Sequence, residues 1–110
     1  GMKGIPITLY NKVEIGRDAF DKPIYDDVPE TVENILIEPL SDSEVLETVS
    51  LTGRKAVYRL GIPKGDKHDW TDKKVSFFGQ DFRTIGIPLE GIEEMIPLEW
   101  NKKVTVERYD

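Results

Sequence analysis

Among the side chains most used as nucleophile or base, the chain holds one histidine and no cysteine. Its single histidine, His68, lies in the run Asp66, Lys67, His68, Asp69. Nucleophilic catalysis by a Ser-His pair needs that imidazole beside an activated hydroxyl. No nucleophile-elbow motif is present to partner it, so His68 reads as an exposed loop histidine. Asp66, His68, Asp69 and Asp72 carry donors for a hard cation. Their spacing matches no calcium loop, and Lys67, Lys73 and Lys74 crowd the charge, so they read as polar turn residues and no metal is expected. The carboxylate pairs Asp26, Asp27 and Glu93, Glu94 invite comparison with glycoside chemistry. Adjacent residues on a strand point to opposite faces, which separates such neighbours.

Two further classes fall on composition. There is no cysteine, which removes disulfides, thiolate metal sites and cysteine nucleophiles, and fits a reducing compartment. The nine glycines are scattered, without the clustering of a phosphate-binding loop. No catalytic residue and no cofactor is expected, and the chain is expected not to be an enzyme.

Nucleic-acid binding is the serious rival. Lys73, Lys74 and Arg83 stand near Phe77, Phe78 and Phe82 on a hairpin pattern, the mixture with which small barrels of the OB type bind single strands. The formal charge of −6 opposes it by repelling phosphates. Nucleic acid is therefore expected as a partner only inside a channel. A small β-barrel binding module for single-stranded nucleic acid or a peptide stays as the alternative reading.

Hydrophobic residues at 38% and charged residues at 33% make a globular composition, and 110 residues fit one domain with one modest core. Gly1 before Met2 reads as an expression remnant. No apolar run approaches the ~18–20 residues of a membrane span, so no membrane association is expected. No signal peptide is expected at the N-terminus. From Glu14 to Glu47 there are 11 acids against 2 bases, and from Arg54 to Arg83 there are 8 bases against 4 acids. A fold that keeps these segments on different faces can dock head to tail on copies of itself or on charged neighbours. Ordinary solvated charge is the plainer explanation of the same asymmetry.

The elements that carry these residues are short. Ile5, Ile7, Leu9, Val13 and Ile15 share one parity, interrupted at Asn11, which predicts a strand with one face on a core and a bulge or bend at the break. Residues 16–30 hold Gly, two Pro, four Asp and a Glu, and read as a long acidic loop, with a short strand at residues 23–25 as an option. Residues 31–39 predict a second strand ended by Pro39. Ser41 and Glu44 have capping-box spacing, and Gly53 terminates a helix that must dock on the sheet to be stable. Residues 54–62 alternate again and stop at Pro63, and a polar loop carrying Trp70 follows. Residues 75–78 and 82–87 flank Gly79, Gln80 and Asp81, predicting a type II′ hairpin that pairs Phe77 with Phe82. Residues 89–100 read as irregular, with one helical turn through Ile92, Met95 and Ile96. A last strand turns Val104 and Val106 inward.

Together these predict a mainly β fold: a small antiparallel β-barrel or strongly curved sheet of five to six strands, with one short helix and one long loop.

The stretch KAVYRLGIPKGDKHDWTDKKVSFFGQDFRTIGIPLEGIEEMIPLEWNKKVTVERY resembles the minor capsid proteins of phages and prophages of low-GC Gram-positive bacteria. The ordered pieces are IPKGD, HDW, FFGQ, GIP, IPLEWNKKV and VERY, with TVENILIEP upstream, so the likeness spans roughly residues 5–110. It implies a virion protein of the head or head–tail connection, located in the host cytoplasm before assembly. A more remote likeness of architecture is to head-completion proteins, which form rings below the portal. The partners implied are portal or connector, capsid or tail-proximal proteins, with a homo-oligomeric ring. Ring assembly places one face of a subunit on a different face of the next. Asp18, Phe20, Asp21 and Tyr25 in the acidic loop, and Lys67, Trp70, Lys73 and Arg83 in the basic region, are the expected docking residues. The acidic loop is expected to be mobile in the free protein and to order on assembly.

Overall fold

The computed structural model describes residues 4–90 and 100–109. In chain order the elements are β1 (Ile5–Arg17), β2 (Pro23–Pro39), α1 (Asp42–Thr52), β3 (Ala56–Pro63), β4 (Lys74–Phe77), β5 (Gln80–Glu90) and β6 (Trp100–Arg108). The strands join in the order β1-β2-β3-β6-β5-β4, and β4 pairs back onto β1. Every pairing is antiparallel. The result is a closed six-stranded barrel, so of the two expected forms the closed one is correct. Closure leaves no sheet edge along the barrel wall.

Period two fills the interior. Ile7 and Leu9, Val32 and Ile35, Leu60 and Ile62, Val75 and Phe77, Phe82, and Val104 and Val106 all turn inward. Each such side chain contributes about 1.5–3 kcal/mol on burial. Phe77 and Phe82 stack at 4.2 Å between centroids, and Tyr58 packs edge-on to both. The two rings meet as diagonal neighbours, because the register partners are Val75 with Phe82 and Phe77 with Gln80. The turn between them is Phe78 and Gly79, at φ 53° and 71°. Two left-handed residues in a two-residue loop make it type I′, correcting the expected type II′ turn.

Neighbouring strands alternate in direction, so the barrel has two unlike ends. One end carries the β1–β2 connection and the β3–β4 loop of residues 64–73. The other carries α1, the Phe78 and Gly79 turn, the start of β3 and the finish of β6. Trp70, in the β3–β4 loop, is 2% exposed and packs into the core.

The helix forms where expected. The Ser41 hydroxyl accepts from the Glu44 N–H, Glu44 Oε1 accepts from the Ser41 N–H, and Gly53 closes the helix at φ 71°. Its docking differs from expectation: α1 buries no side chain completely, and Leu46 and Leu51 are exposed. It is held largely by polar contacts. Arg59 on β3 reaches Glu44 at 2.5 Å and Glu38 at 3.0 Å, and the Ala56 N–H reaches the Thr48 hydroxyl. The Ser41 N–H, followed by Arg59, holds the Glu44 carboxyl down at about 2.

The largest departure concerns residues 16–30. They are not a loop: they complete β1, turn at residues 18–22, and begin β2. β1 pairs with β4 only at residues 8–10, and β2 pairs with β3 only at residues 36–39. Beyond Asn11 and Val28 the two strands pair with each other alone. They form a two-stranded arm that leaves the barrel. Seven residues of β1, from Asn11 to Arg17, against six of β2 reach about 20 Å at ~3.3 Å per residue. The Cα radius of gyration of 15.1 Å exceeds the ~13 Å of a compact chain this long. The longest dimension, 51 Å against 31 and 26 Å, agrees with the projection.

The bulges lie away from Asn11. One falls between Glu14 and Gly16, within the arm, and another near Asn34, where β2 has an extra residue opposite Ile5 and Ile7. Asn34 has φ 62°, and a Cβ on Gly4 would stand 2.4 Å from the Asn34 backbone carbonyl carbon, so only glycine fits there. The expected helical turn through Ile92, Met95 and Ile96 lies outside the described residues. Residues 89 and 90, expected to be irregular, belong to β5.

Candidate docking site

The arm begins where the core ends. Ile7 and Leu9 on β1 and Val32 on β2 face the barrel interior. Strict alternation carries that face outward through Asn11 and Val13 on β1 and through Glu30, Val28, Asp26 and Ile24 on β2, with Asp26 opposite Val13. Val13 is 44% exposed, and Val28 and Ile24 are similar. Val13, Val28 and Ile24 therefore continue the core pattern past the barrel among Asn11, Glu30 and Asp26, and no other element among the described residues pairs with this part of the hairpin. The expectation that Val13 and Ile15 line the core is corrected for this reason. Exposed edges on both sides of the arm are blunted by charged side chains and by Pro23 and Pro29, which lack an N–H.

The tip is a three-residue turn. The Asp18 N–H donates to the Lys22 carbonyl at 2.9 Å, and the Asp21 N–H donates to the Asp18 carbonyl at 3.0 Å. Asp18 Oδ1 accepts from the backbone N–H groups of Phe20 and Lys22 at 2.8 and 2.9 Å. Asp21 takes the left-handed position at φ 61°, and its carbonyl accepts from Arg17 at 2.8 Å. This hydrogen bonding sets out Phe20 at the extremity, 85% exposed. Asp18, Phe20 and Asp21 share the tip, and Tyr25 lies beside it, opposite Glu14. The structure thus brings these four expected docking residues onto one projection.

The root of the arm is fastened by a polar chain. Asn11 Nδ2 donates to Glu30 Oε1 at 3.0 Å. His68 bridges Glu30 at 2.9 Å through Nε2 and Asp66 at 2.5 Å through Nδ1. Trp70 Nε1 donates to the second Asp66 oxygen at 2.7 Å. An imidazolium donating from both nitrogens suits two carboxylate acceptors. Hydrogen bonding to Asp66 accordingly raises the His68 pKa, with Glu30 adding to it against the opposing effect of burial. His68 is a half-buried, doubly bonded brace and not an exposed loop histidine, which corrects the sequence reading. The chain Asn11, Glu30, His68, Asp66 links the arm root to Trp70 and so to the core.

The other four expected residues do not join this site. Trp70 is buried, so its assignment as a docking residue is corrected: the indole fills the barrel end. Lys67 is exposed on the β3–β4 loop at the same end as the arm. Lys73 is half-buried, with its N–H donating to the Thr84 hydroxyl at 2.8 Å. Arg83 donates to Asp72 at 2.7 Å and lies over the Tyr109 ring at 4.9 Å. Lys74 stands 4.6 Å over Tyr10 and 3.7 Å from Asp81. Phe77 and Phe82 are core residues. The cations and aromatics that pointed to single-strand binding are thus largely engaged within the protein.

Asp66 serves His68 and Trp70, Asp69 accepts from the Thr71 N–H, and Asp72 pairs with Arg83. Each acid has its own partner, and among the described residues no group of three acids or histidines gathers as a metal site would. Among them also, no helix is long and apolar enough to cross a membrane. A cavity of about 280 Å³ lies at the far end of the barrel, lined by Lys55, Val57, Glu107 and Arg108.

No protein-family model matches this chain, and no curated protein matches it.

Proposed function

We propose that this chain is a non-catalytic assembly protein of a tailed phage or prophage, a minor capsid or head–tail connection component that works by docking to other virion proteins. The observation that carries the reading is the arm. A closed barrel needs no such extension for its own core. Yet the arm continues the barrel's apolar face and ends in an exposed phenylalanine held by designed-looking turn chemistry. Exposed apolar surface rimmed by polar groups marks sites of protein contact. The sequence likeness to phage minor capsid proteins supplies the setting, with portal or connector, capsid or tail-proximal proteins as neighbours. Engagement of Lys74 and Arg83 within the fold disfavours the single-strand binding alternative.

The test is genetic and structural. In a phage or prophage encoding this chain, an in-frame deletion is expected to leave filled or emptied heads and free tails that fail to join. Complementation with the intact chain restores joined particles, and complementation with a Phe20→Ser, Val13→Ser, Val28→Ser chain does not. Normal infectious particles from the deletion would overturn the reading. So would a salt-sensitive shift of single-stranded DNA at micromolar protein, which would move the chain to the nucleic-acid class.

A further inference from the structure

We infer that the brace at the arm's root is a proton-operated latch: a charged His68 ties the β3–β4 loop to Glu30 and fixes the direction of the arm, and loss of one proton opens the Glu30 bond and lets the arm swing. The inference concerns how the arm is held and is independent of the partner that the arm meets.

The strand pairing supplies the hinge. β1 leaves β4 after Tyr10, and among the described residues β2 has β1 as its one strand partner from Pro23 to Ile35. The bulge near Asn34 lies in that stretch, with Asn34 at φ 62°. Two strands without a third beside them hold their direction weakly, and a bulge bends the strand that carries it. Glu30 lies in the same stretch, and His68 reaches it from the β3–β4 loop at 2.9 Å.

Two carboxylates face the ring, Glu30 from β2 at Nε2 and Asp66 from the loop at Nδ1. β1 brings the neutral Asn11 amide, which holds the other Glu30 oxygen. The Trp70 ring stands edge-on at 6.1 Å. Of the charged neighbours, Lys67 and Asp69 are exposed, Asp69 accepts from the Thr71 N–H, and Lys12 on β1 acts on Asp72. Donation to two carboxylates requires the imidazolium, because a neutral imidazole has one N–H and one lone pair. Deprotonation therefore turns one of the two bonds into a contact between lone pairs.

Burial decides which bond is lost. The Asp66 side chain is 5% exposed and also accepts from the His68 N–H at 3.1 Å and from Trp70 Nε1 at 2.7 Å. Those bonds lie within the loop and keep Asp66 in place. The Glu30 side chain is 41% exposed and can turn to water. The remaining proton stays on Nδ1, and the bond from loop to arm root opens while the loop stays intact. The Asp66 bond, with that of Glu30 and against the effect of burial, favours the charged ring. The latch is thus shut in mild acid and opens as pH rises through the folded value of His68.

Because the chain has no cysteine, Phe20→Cys with Lys55→Cys puts one spin label at the arm tip and one on the far end of the barrel. Double electron–electron resonance reads the distribution of distances between them on either side of the His68 titration, which ring nitrogen shifts locate by NMR. The distribution is expected to be narrow below the titration and broad above it, with the neutral ring in the Nδ1–H form. In the same labelled chain, His68→Ala is expected to be broad at every pH. Glu30→Gln carries a donor as well as an acceptor, so it bonds either state of the ring and is expected to stay narrow throughout. Circular dichroism with thermal melting confirms that both variants are folded. Equal widths on the two sides of the titration, without any further substitution, overturn the latch. So do a pH-dependent width that survives His68→Ala, a neutral ring in the Nε2–H form, and a Glu30→Gln arm that broadens as the wild type does.

Discussion

His68 gains its place from two carboxylates, and the pH dependence follows from their signs. Its pKa is raised, first by the Asp66 hydrogen bond, so its contribution to stability is complete below its unfolded value of about 6.5 and is lost as pH rises through the folded value. The His68 hydrogen bond, then that of Asn11, lowers Glu30. Burial pushes Asp66 up, but the bonds from His68 and Trp70 outweigh it and hold the group low. Those contributions are complete above the unfolded carboxylate values of about 4–4.5 and are lost as pH falls. All three therefore coincide between about pH 4.5 and 6.5. The stability gap between wild type and His68→Gln, read by urea titration, is expected to be widest in that window and to shrink above the folded His68 pKa. A gap unchanged from about pH 5 to 9 would mean that the imidazole is not charged here. The hairpin turn between β4 and β5 depends in turn on Gly79. It sits at φ 71° with open space where a Cβ would go, so replacement is opposed by backbone conformation alone. Gly79→Ala is expected to lose about 1–2 kcal/mol in urea titration, and Gly79→Asn less, because Asn tolerates the left-handed region.

Among the elements, α1 and the arm both stand apart from the core, for different reasons. The helix has a complete capping box and a left-handed glycine at its end, yet no fully buried side chain. Its stability is therefore local. Ser41→Ala removes the cap at a cost of about 1 kcal/mol. The expected readout is hydrogen exchange about fivefold faster in α1, with the barrel amides unchanged. Equal acceleration across the barrel would show that α1 is coupled to it more tightly than its contacts indicate. The arm is opposite in kind. A two-stranded hairpin alone is marginal in water, and this one is stabilised by continuity with barrel strands and by the brace at its root.

For the whole molecule, the barrel and the arm divide the work. Removing residues 12–27 and joining Asn11 to Val28 through Asn-Gly deletes no core residue and supplies a two-residue turn. The shortened chain is expected to keep its fold, with unfolding free energy within about 1 kcal/mol of wild type, and to lose assembly. Loss of cooperative melting would show that the arm supports the barrel. The charge asymmetry along the chain also changes meaning at this scale. Of the eleven acids in residues 14–47, five lie on the arm together with both bases, Arg17 and Lys22, while Arg59, Lys74 and Arg83 are tied into local pairs.

The chain's alternation and capping box were enough to establish a small antiparallel β fold with one helix and its start at Ser41. These are local properties: period two follows from the pleat, and a capping box from four adjacent residues. Inward-facing Val104 and Val106 were legible for the same reason. The arm was not, because its turn places Asp21 in the left-handed position instead of glycine, and its acids and prolines resemble a loop. The parity of Val13 was visible, but one strand's pattern cannot say whether a barrel wall or solvent lies opposite. Nor does spacing reveal that Glu30, 38 residues from His68, completes the brace. Only closure of the sheet decided which stretch of a continuous apolar face became core and which was carried past it, since burial depends on what packs across the barrel and not on the strand itself.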